Sequence, residues 1–393
     1  MPAIVLSILL APAALAGGLF VPTGDMGSPR AVHGAASLPD GRVLFVGGIA
    51  DFGVHLIVAE TYDPASGTFS PTGSMTETRM RPTTVGLADG RVLLLGGRGG
   101  DTGDALATAE IYDPVTGQFS ATGSMAGPRY VASAALLADG RVLVAGGLSG
   151  RDLLSSAELY DPTTGLFSAT GDLIEARAQP NAVAMLADGR VLIAGGDGDA
   201  GPLASAELYD PATGTFSATG PMPEARVVQS LVALDDGKVL MVGGSDGGFS
   251  GGFPIYYPTA ALYDPATDTF GATGALAFPR EMQAASRLPD GRVLVAGGAH
   301  LAGNPGSVTV ATAEIYDPAN GKFSVAGDMA VPRYEAIPIT LADGSILLAG
   351  GWAFAGDTVG DMPTASAERF VPEVADAIFA DGFDSADAGG RSH

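Results

Sequence analysis

The chain has 393 residues, 58 of them glycine, 27 proline and none cysteine, with 43 acidic against 20 basic side chains and a net charge of −23. Average composition gives about 28 glycines for this length, so the excess points to many short strands and tight turns rather than helices. The acidity excludes nucleic acid as a natural partner and disfavours anionic membranes. The missing cysteines exclude disulfides, thiolate metal sites and cysteine nucleophiles.

In chain order, the first feature is an apolar run, Ile4 to Leu15, ending in Ala14-Leu15-Ala16. It resembles a secretory signal peptide, although no Lys or Arg precedes the run. Residues 1–16 are therefore expected to be removed, with the product secreted or periplasmic. The run is short for a bilayer span, and nothing else in the chain resembles one, so stable membrane insertion is not expected.

From residue 18 the chain repeats. Gly-Gly pairs start at 47, 96, 146, 195, 243, 297 and 350. Each is followed by a second marker: AETYDP at 59, AEIYDP at 109 and 313, AELYDP at 157 and 206, AALYDP at 260 and AERFVP at 367. A third, TGxM-like marker ends in Arg30, Arg79, Arg129, Arg177, Arg226, Arg280 and Arg333. Three markers that each occur seven times define seven units of about 50 residues.

Each unit reads as four strands, A to D. Strand A runs from the marker Arg to a Leu-x-Asp-Gly turn, as from Arg129 to Leu137, with Asp139-Gly140 suited to a type I′ hairpin. Strand B is continuously apolar (RVLVAGG, 141–147), as expected of a strand covered on both faces. Its Gly-Gly end permits close backbone approach. Strand C carries AELYDP, and Asp161 to Gly165 reads as a type I turn with a Gly bulge into strand D. Four antiparallel strands per unit make a propeller blade. The expected fold is all-β, a seven-bladed β-propeller. The last unit lacks strand D, whereas Gly18 to Met26 aligns with Gly67 to Met75. The N-terminal segment is thus expected to complete the last blade and cover its open edge.

These repeats resemble the kelch family, whose units carry Gly-Gly, a Tyr-Asp pair and a following aromatic. The resemblance spans residues 18–372. Phe69, Phe119, Phe167, Phe216, Phe270 and Phe323 stand where the family usually has Trp. Galactose oxidase, a kelch-containing copper enzyme, uses a Cys-linked Tyr radical, which a chain without Cys lacks, so no cofactor is expected. Residues 17–372 then form one propeller domain and 373–393 an acidic tail, disordered or related to sorting.

The A–B and C–D turns share one face of such a propeller, and the B–C and D–A loops the other. In kelch domains that bind acidic peptides, Arg at the marker position contacts the ligand. The resemblance therefore implies Arg30, Arg280 and Arg333, with the other four, as anion contacts. The alternative is a structural ion pair in each blade with Glu60, Glu110, Glu158, Glu207, Glu314 or Glu368. Arg280 is singled out because Ala261 replaces the glutamate in the unit assigned to it. The B–C loops hold 10, 11, 9, 9, 15, 14 and 15 residues, so the last three are long. They carry aromatics outside the repeat pattern: Phe249, Phe253, Tyr256, Tyr257, Trp352 and Phe354. Such residues stack on sugars or anchor peptides, or pack within their own loops. Phe52 and His55 of the neighbouring first blade extend this patch.

No metal site is expected. The four histidines, His33, His55, His300 and His393, are scattered, and Asp197 to Gly201 begins like a calcium loop without its later Glu. Nucleophile-elbow, zinc-protease and phosphate-loop motifs are absent. The leading expectation is a non-catalytic extracellular or periplasmic scaffold recognising a glycan or protein ligand around Arg280, Trp352, Tyr256, Tyr257, Phe253, Arg333 and Arg30. The alternative is a carbohydrate-active enzyme of epimerase or lyase type at the channel mouth. Carboxylates and Tyr with shifted pKa values at the mouth favour the enzyme, and a mouth of paired Arg and Glu favours the scaffold.

Overall fold

A computed structural model describes residues 17–100, 103–178, 183–248, 253–301, 307–354 and 360–373. The expected leader and most of the acidic tail lie outside the described residues. The described chain forms seven four-stranded antiparallel sheets. Their inner A strands follow one another in a closed ring: Gly34–Ser37, Thr83–Gly86, Ser133–Leu136, Val183–Met185, Ser230–Ala233, Ala284–Arg287 and Ile337–Thr340. A single turn of 3-10 helix, Asp51–Gly53, is the helix found among the described residues. The molecule is an all-β, seven-bladed propeller.

Strand B is buried along its whole length in every blade, as in Val92–Leu95 and Val142–Ala145, so the apolar runs fill the layers between neighbouring sheets. The Gly-Gly pairs explain how the blades lock. The N–H of each second glycine donates to the carbonyl of the next blade's marker Arg at 2.8–3.0 Å. The series runs from Gly48 to Arg79 and closes with Gly351 to Arg30. The first glycines hold positive φ, and a Cβ on Gly47 would come within 2.5 Å of the Arg79 carbonyl oxygen. Two sequence markers are therefore two halves of one joint.

A second joint uses the Tyr of the YDP marker. The hydroxyls of Tyr62, Tyr112, Tyr160, Tyr209, Tyr263 and Tyr316 meet Thr23, Thr72, Thr122, Thr170, Thr219 and Thr273 of the preceding blade's strand D at 2.8–3.3 Å. At the seventh interface both hydroxyls disappear together. Phe370 takes the Tyr position and Ala326 the Thr position, and both are fully buried. Losing both partners leaves no buried hydroxyl unpaired.

The N-terminal strand Gly18–Pro22 pairs with Ala367–Pro372, Gly18 opposite Pro372 and Pro22 opposite Glu368. Phe20 packs edge-on against Phe370 with ring centroids 5.1 Å apart. This is the expected closure, and it runs one residue beyond the expected domain boundary, because the Glu373 N–H donates to the Gly17 carbonyl at 3.2 Å.

Three local expectations differ from the structure. Strand A of blade three starts at Ser133 rather than Arg129. Tyr130 is diverted to bridge Leu148, and Val131 turns to φ 49°. The Asp139-Gly140 turn is a type I turn with a Gly bulge instead of type I′. The Gly140 N–H reaches the Leu137 carbonyl at 2.9 Å, and of the two residues only Gly140 has positive φ. The C–D turn is one residue wider than expected, closed from the Gly165 N–H to the Asp161 carbonyl.

Candidate functional site

The seven marker arginines do not open onto the channel. Each is buried and braces its own blade beneath the B–C loop. In blade six, Arg280 donates to the Gly297 carbonyl at 3.0 Å, the Thr312 carbonyl at 2.7 Å and Glu314 at 3.0 Å. The second oxygen of Glu314 accepts the Ala277 N–H at 2.8 Å. Burial pulls the Arg280 guanidinium below its ordinary pKa, and Glu314 opposes that pull. Arg30 pairs with Glu60 in the same way, and Arg333 with Glu368. The anion contacts expected of Arg30, Arg280 and Arg333 are corrected accordingly, since these three cations are consumed by structural pairs.

The glutamate gap belongs to Arg226, not to Arg280. The partner lies on the strand C that follows the marker Arg, so Ala261 deprives blade five. Three changes occur there together. Ala261 removes the acceptor. Pro223 stands where other blades donate an N–H to it, so no donor is orphaned. Glu224, from the D–A loop, pairs with Arg226 instead. The Tyr257 ring covers that guanidinium at 4.7 Å, a cation–π contact.

Replacing Glu314 by Ala strands a buried cation and an N–H, and is expected to cost about 3–5 kcal/mol. Replacing Glu224, whose side chain is 35% exposed, is expected to cost less than half as much. Urea midpoints of the two variants check this, and equal shifts contradict the assignment.

The channel mouth is built by the residues just after each marker Arg. Those two positions on are left-handed: Val32, Arg81, Val131, Val228, Met282 and Glu335 have φ between 49° and 55°. For bulky side chains this is strained backbone. Part of it is held by blade-to-blade bonds, from the Arg81 N–H to Val32, Met282 to Val228 and Glu335 to Met282, at 2.8–3.2 Å. These six residues line an axial cavity of about 370 Å³.

Blades five to seven give the rim its chemistry. Trp352 stacks on Tyr334, centroids 6.4 Å apart at 17°, and its indole N–H donates to Glu335 at 2.9 Å. Glu335 also pairs with Arg81 at 2.8 Å, reaching from blade seven past blade one to blade two. Tyr334 donates to Asp361 at 3.2 Å. Glu281 accepts the Ser245 hydroxyl. Burial raises the Glu281 carboxyl above the usual range, and although the Ser245 bond opposes this, the Glu335, Asp197 and Asp246 carboxylates add to it. Tyr256 is pushed up to about 12 by burial, with Glu281 and Asp246 adding to it.

Of the expected site residues, Trp352 and Tyr256 belong to this rim, while Tyr257 serves as the cover on Arg226. Phe253 projects from its loop, 76% exposed, and Phe354 and Phe52 are 51% and 95% exposed. Phe249 lies outside the described residues. His55 ties blade one to blade two through the Gly100 carbonyl at 2.9 Å. Arg81, Glu281 and Glu335 were not anticipated. Their signal is a charged residue one or two positions after the marker Arg, where other units carry Ala31, Val32, Met80, Val131, Val227 or Val228.

Asp197-Gly198 pairs with Gly201-Pro202 as a tight hairpin. Among the described residues no group of three or more His, Cys, Asp or Glu is placed to hold a metal.

A family model described as the Kelch motif matches residues 79–126, 129–173 and 180–223. No curated protein sequence matches the chain. Among solved structures, one described as a novel fungal alcohol oxidase with catalytic diversity among the AA5 family, in complex with copper, is similar at TM-score 0.71 and 20% identity. It covers 92% of this chain and 77% of its own. Another, described as the structure of YjhT, is similar at TM-score 0.59 and 14% identity, over 77% of this chain and 99% of its own. These likenesses carry the fold. The copper belongs to the oxidase, and the residues described here do not fit such a centre: there is no Cys, and His33, His55 and His300 belong to no group of three or more His, Cys, Asp or Glu placed to hold a metal. The chain thus carries Kelch motifs within a seven-bladed β-propeller whose other blades repeat the same markers and joints.

Proposed function

We propose that the protein is a non-catalytic binding scaffold, exported from the cytoplasm, which recognises a glycan or protein ligand at the axial mouth of its loop face. The observation that carries this is the group of Trp352, Tyr256, Glu281 and Glu335, in which Glu335 lines the cavity and holds the Trp352 indole, and Glu281 acts on Tyr256. None of these residues belongs to the repeat pattern, and the side chains of Trp352, Tyr256 and Glu281 take no part in the Gly-Gly and Tyr–Thr joints that hold the blades. Export rests on the apolar run ending in Ala14-Leu15-Ala16. The test uses protein recovered from outside the cytoplasm, its mass beginning at Gly17, applied to a glycan and peptide array. Trp352→Ala is expected to weaken a selected ligand about thirtyfold, from about 2 kcal/mol for a lost aromatic anchor. A change within twofold, with an intact Met1, contradicts both parts.

A second reading, a carbohydrate-active enzyme, is favoured by one observation: Glu281 is a partly buried carboxyl with raised pKa beside Tyr256, the pattern of a proton donor. Turnover of an array-selected glycan that Glu281→Gln abolishes supports it. Glycans recovered unchanged support the scaffold.

A further inference from the structure

We propose that the loop face docks a basic polypeptide segment, whose apolar side chains meet the exposed loop tips of blades one, five and seven while its Lys or Arg side chains meet the rim carboxylates. This rests on the mouth being the binding site and names the class of partner.

The tips are the first observation. Phe52, Val54, Phe253, Ile255 and Phe354 are 95, 57, 76, 60 and 51% exposed. They lie in B–C loops, on one face, around one axis. Scattered exposed apolar residues need no explanation, but several on one face mark a contact surface. Phe52 is the sharpest case. It sits at φ 58° inside Asp51–Gly53, a backbone that bulky residues rarely adopt, and its ring has almost no contact with the fold. Neither packing nor turn chemistry asks for phenylalanine there.

Charge complementarity identifies the occupant. The marker guanidiniums are all internal. At the mouth, Arg81 is already paired with Glu335, and Arg98 lies over Tyr130 at 5.3 Å with its Nε on the Gly103 carbonyl. The carboxylates of blades four to seven outnumber these cations, and those of Glu335, Asp197 and Asp246 act on Glu281 and raise its pKa. A cationic group placed there relieves that repulsion and is drawn in by the net charge of −23. The same charge opposes a second copy of this chain and an anionic bilayer. Aromatic tips beside carboxylates suit Lys and Arg, whose apolar stems lie along rings while their heads reach acids.

The test is calorimetry with the chain from Gly17, using three probes: a 14-residue peptide of Leu and Lys, its Glu-for-Lys counterpart, and cellohexaose. The Leu/Lys peptide is expected to bind. Phe52→Ser with Phe354→Ser, and separately Glu281→Gln, are expected to weaken it at least tenfold with an unchanged melting temperature. Affinity within twofold in the Phe double variant overturns the proposal, because the peptide then adheres through net charge alone. Equal binding of the Glu peptide, or no binding of the Lys peptide, also overturns it. Cellohexaose binding that shifts Trp352 emission, without peptide binding, rejects the partner class and leaves the mouth reading intact.

Discussion

A chain beginning at Arg30 is expected to melt more than about 10 °C below the chain beginning at Gly17. The deletion removes the strand Gly18–Pro22 with its pairing to blade seven, the Phe20 packing on Phe370, the Thr23 bond to Tyr62 and the buried Met26. Losing the buried Met26 side chain costs about 2–5 kcal/mol, the partly buried Phe20 adds to this, and each net hydrogen bond contributes about 1 kcal/mol. The sum is at least on the order of 5 kcal/mol, and about 2 °C per kcal/mol is conservative for a large domain. The deletion also leaves strand Ala367–Pro372 as an open edge, so association of the shortened chain is expected as well. Calorimetric scans of the two chains check this. Coincident melting temperatures contradict a ring closed by the N-terminal strand.

The same seam holds an acid-sensitive group. His33 is buried, and neither ring nitrogen has a hydrogen-bond partner among the described residues. Its ring packs against Phe45 and lies where a Cβ on Gly350 would come within 2.8 Å of Cε1, between blades seven and one. Burial, with Arg30 nearby, lowers its pKa from 6.5 to about 3. The folded chain therefore holds His33 neutral while the unfolded chain protonates it below pH 6.5. Stability from this group is full above that pH and is lost progressively as pH falls towards 3. At about 1.4 kcal/mol per pH unit the loss is on the order of 5 kcal/mol.

Gln229 and Gln283 fill the corresponding slots of blades five and six, donating to the Ala194 carbonyl at 2.7 Å and the Val242 carbonyl at 3.0 Å. His33→Gln is thus expected to fold and to lose less stability on acidification than the unaltered chain. Urea melts from pH 7 to pH 4 measure the difference, in which the carboxylate titrations common to both proteins cancel. Parallel curves contradict the assignment.

Much of the fold is legible in the sequence because its joints repeat. Gly-Gly, the marker Arg and the YDP Tyr recur because each makes the same contact with a neighbouring blade, and even the exception between blades six and seven is written in a matched pair, Phe370 with Ala326. The site is less legible for the same reason. The marker arginines stand out by repetition, and repetition is the signature of structure, so the ligand role drawn from them is corrected by their burial against Glu60, Glu314 and Glu368. Assigning Ala261 to Arg280 instead of Arg226 reflects the order of strands. The glutamate follows its arginine by some 30 residues, and Pro223 is the local clue that fixes the pair. Glu281, Glu335 and Arg81 interrupt the pattern, and their convergence depends on blade geometry that spacing along one chain does not display.

The central claim is that ligands meet this propeller at the rim of blades five to seven. Trp352 is the sole tryptophan and lies on that rim, so its emission reports the site directly. Titrating the Gly17 chain with an array-selected ligand is expected to give a saturable change in Trp352 emission that tracks calorimetric binding and weakens in Glu335→Gln. A ligand that binds by calorimetry but leaves the emission unchanged, and whose hydrogen-exchange protection falls on the A–B and C–D turns, contradicts the claim.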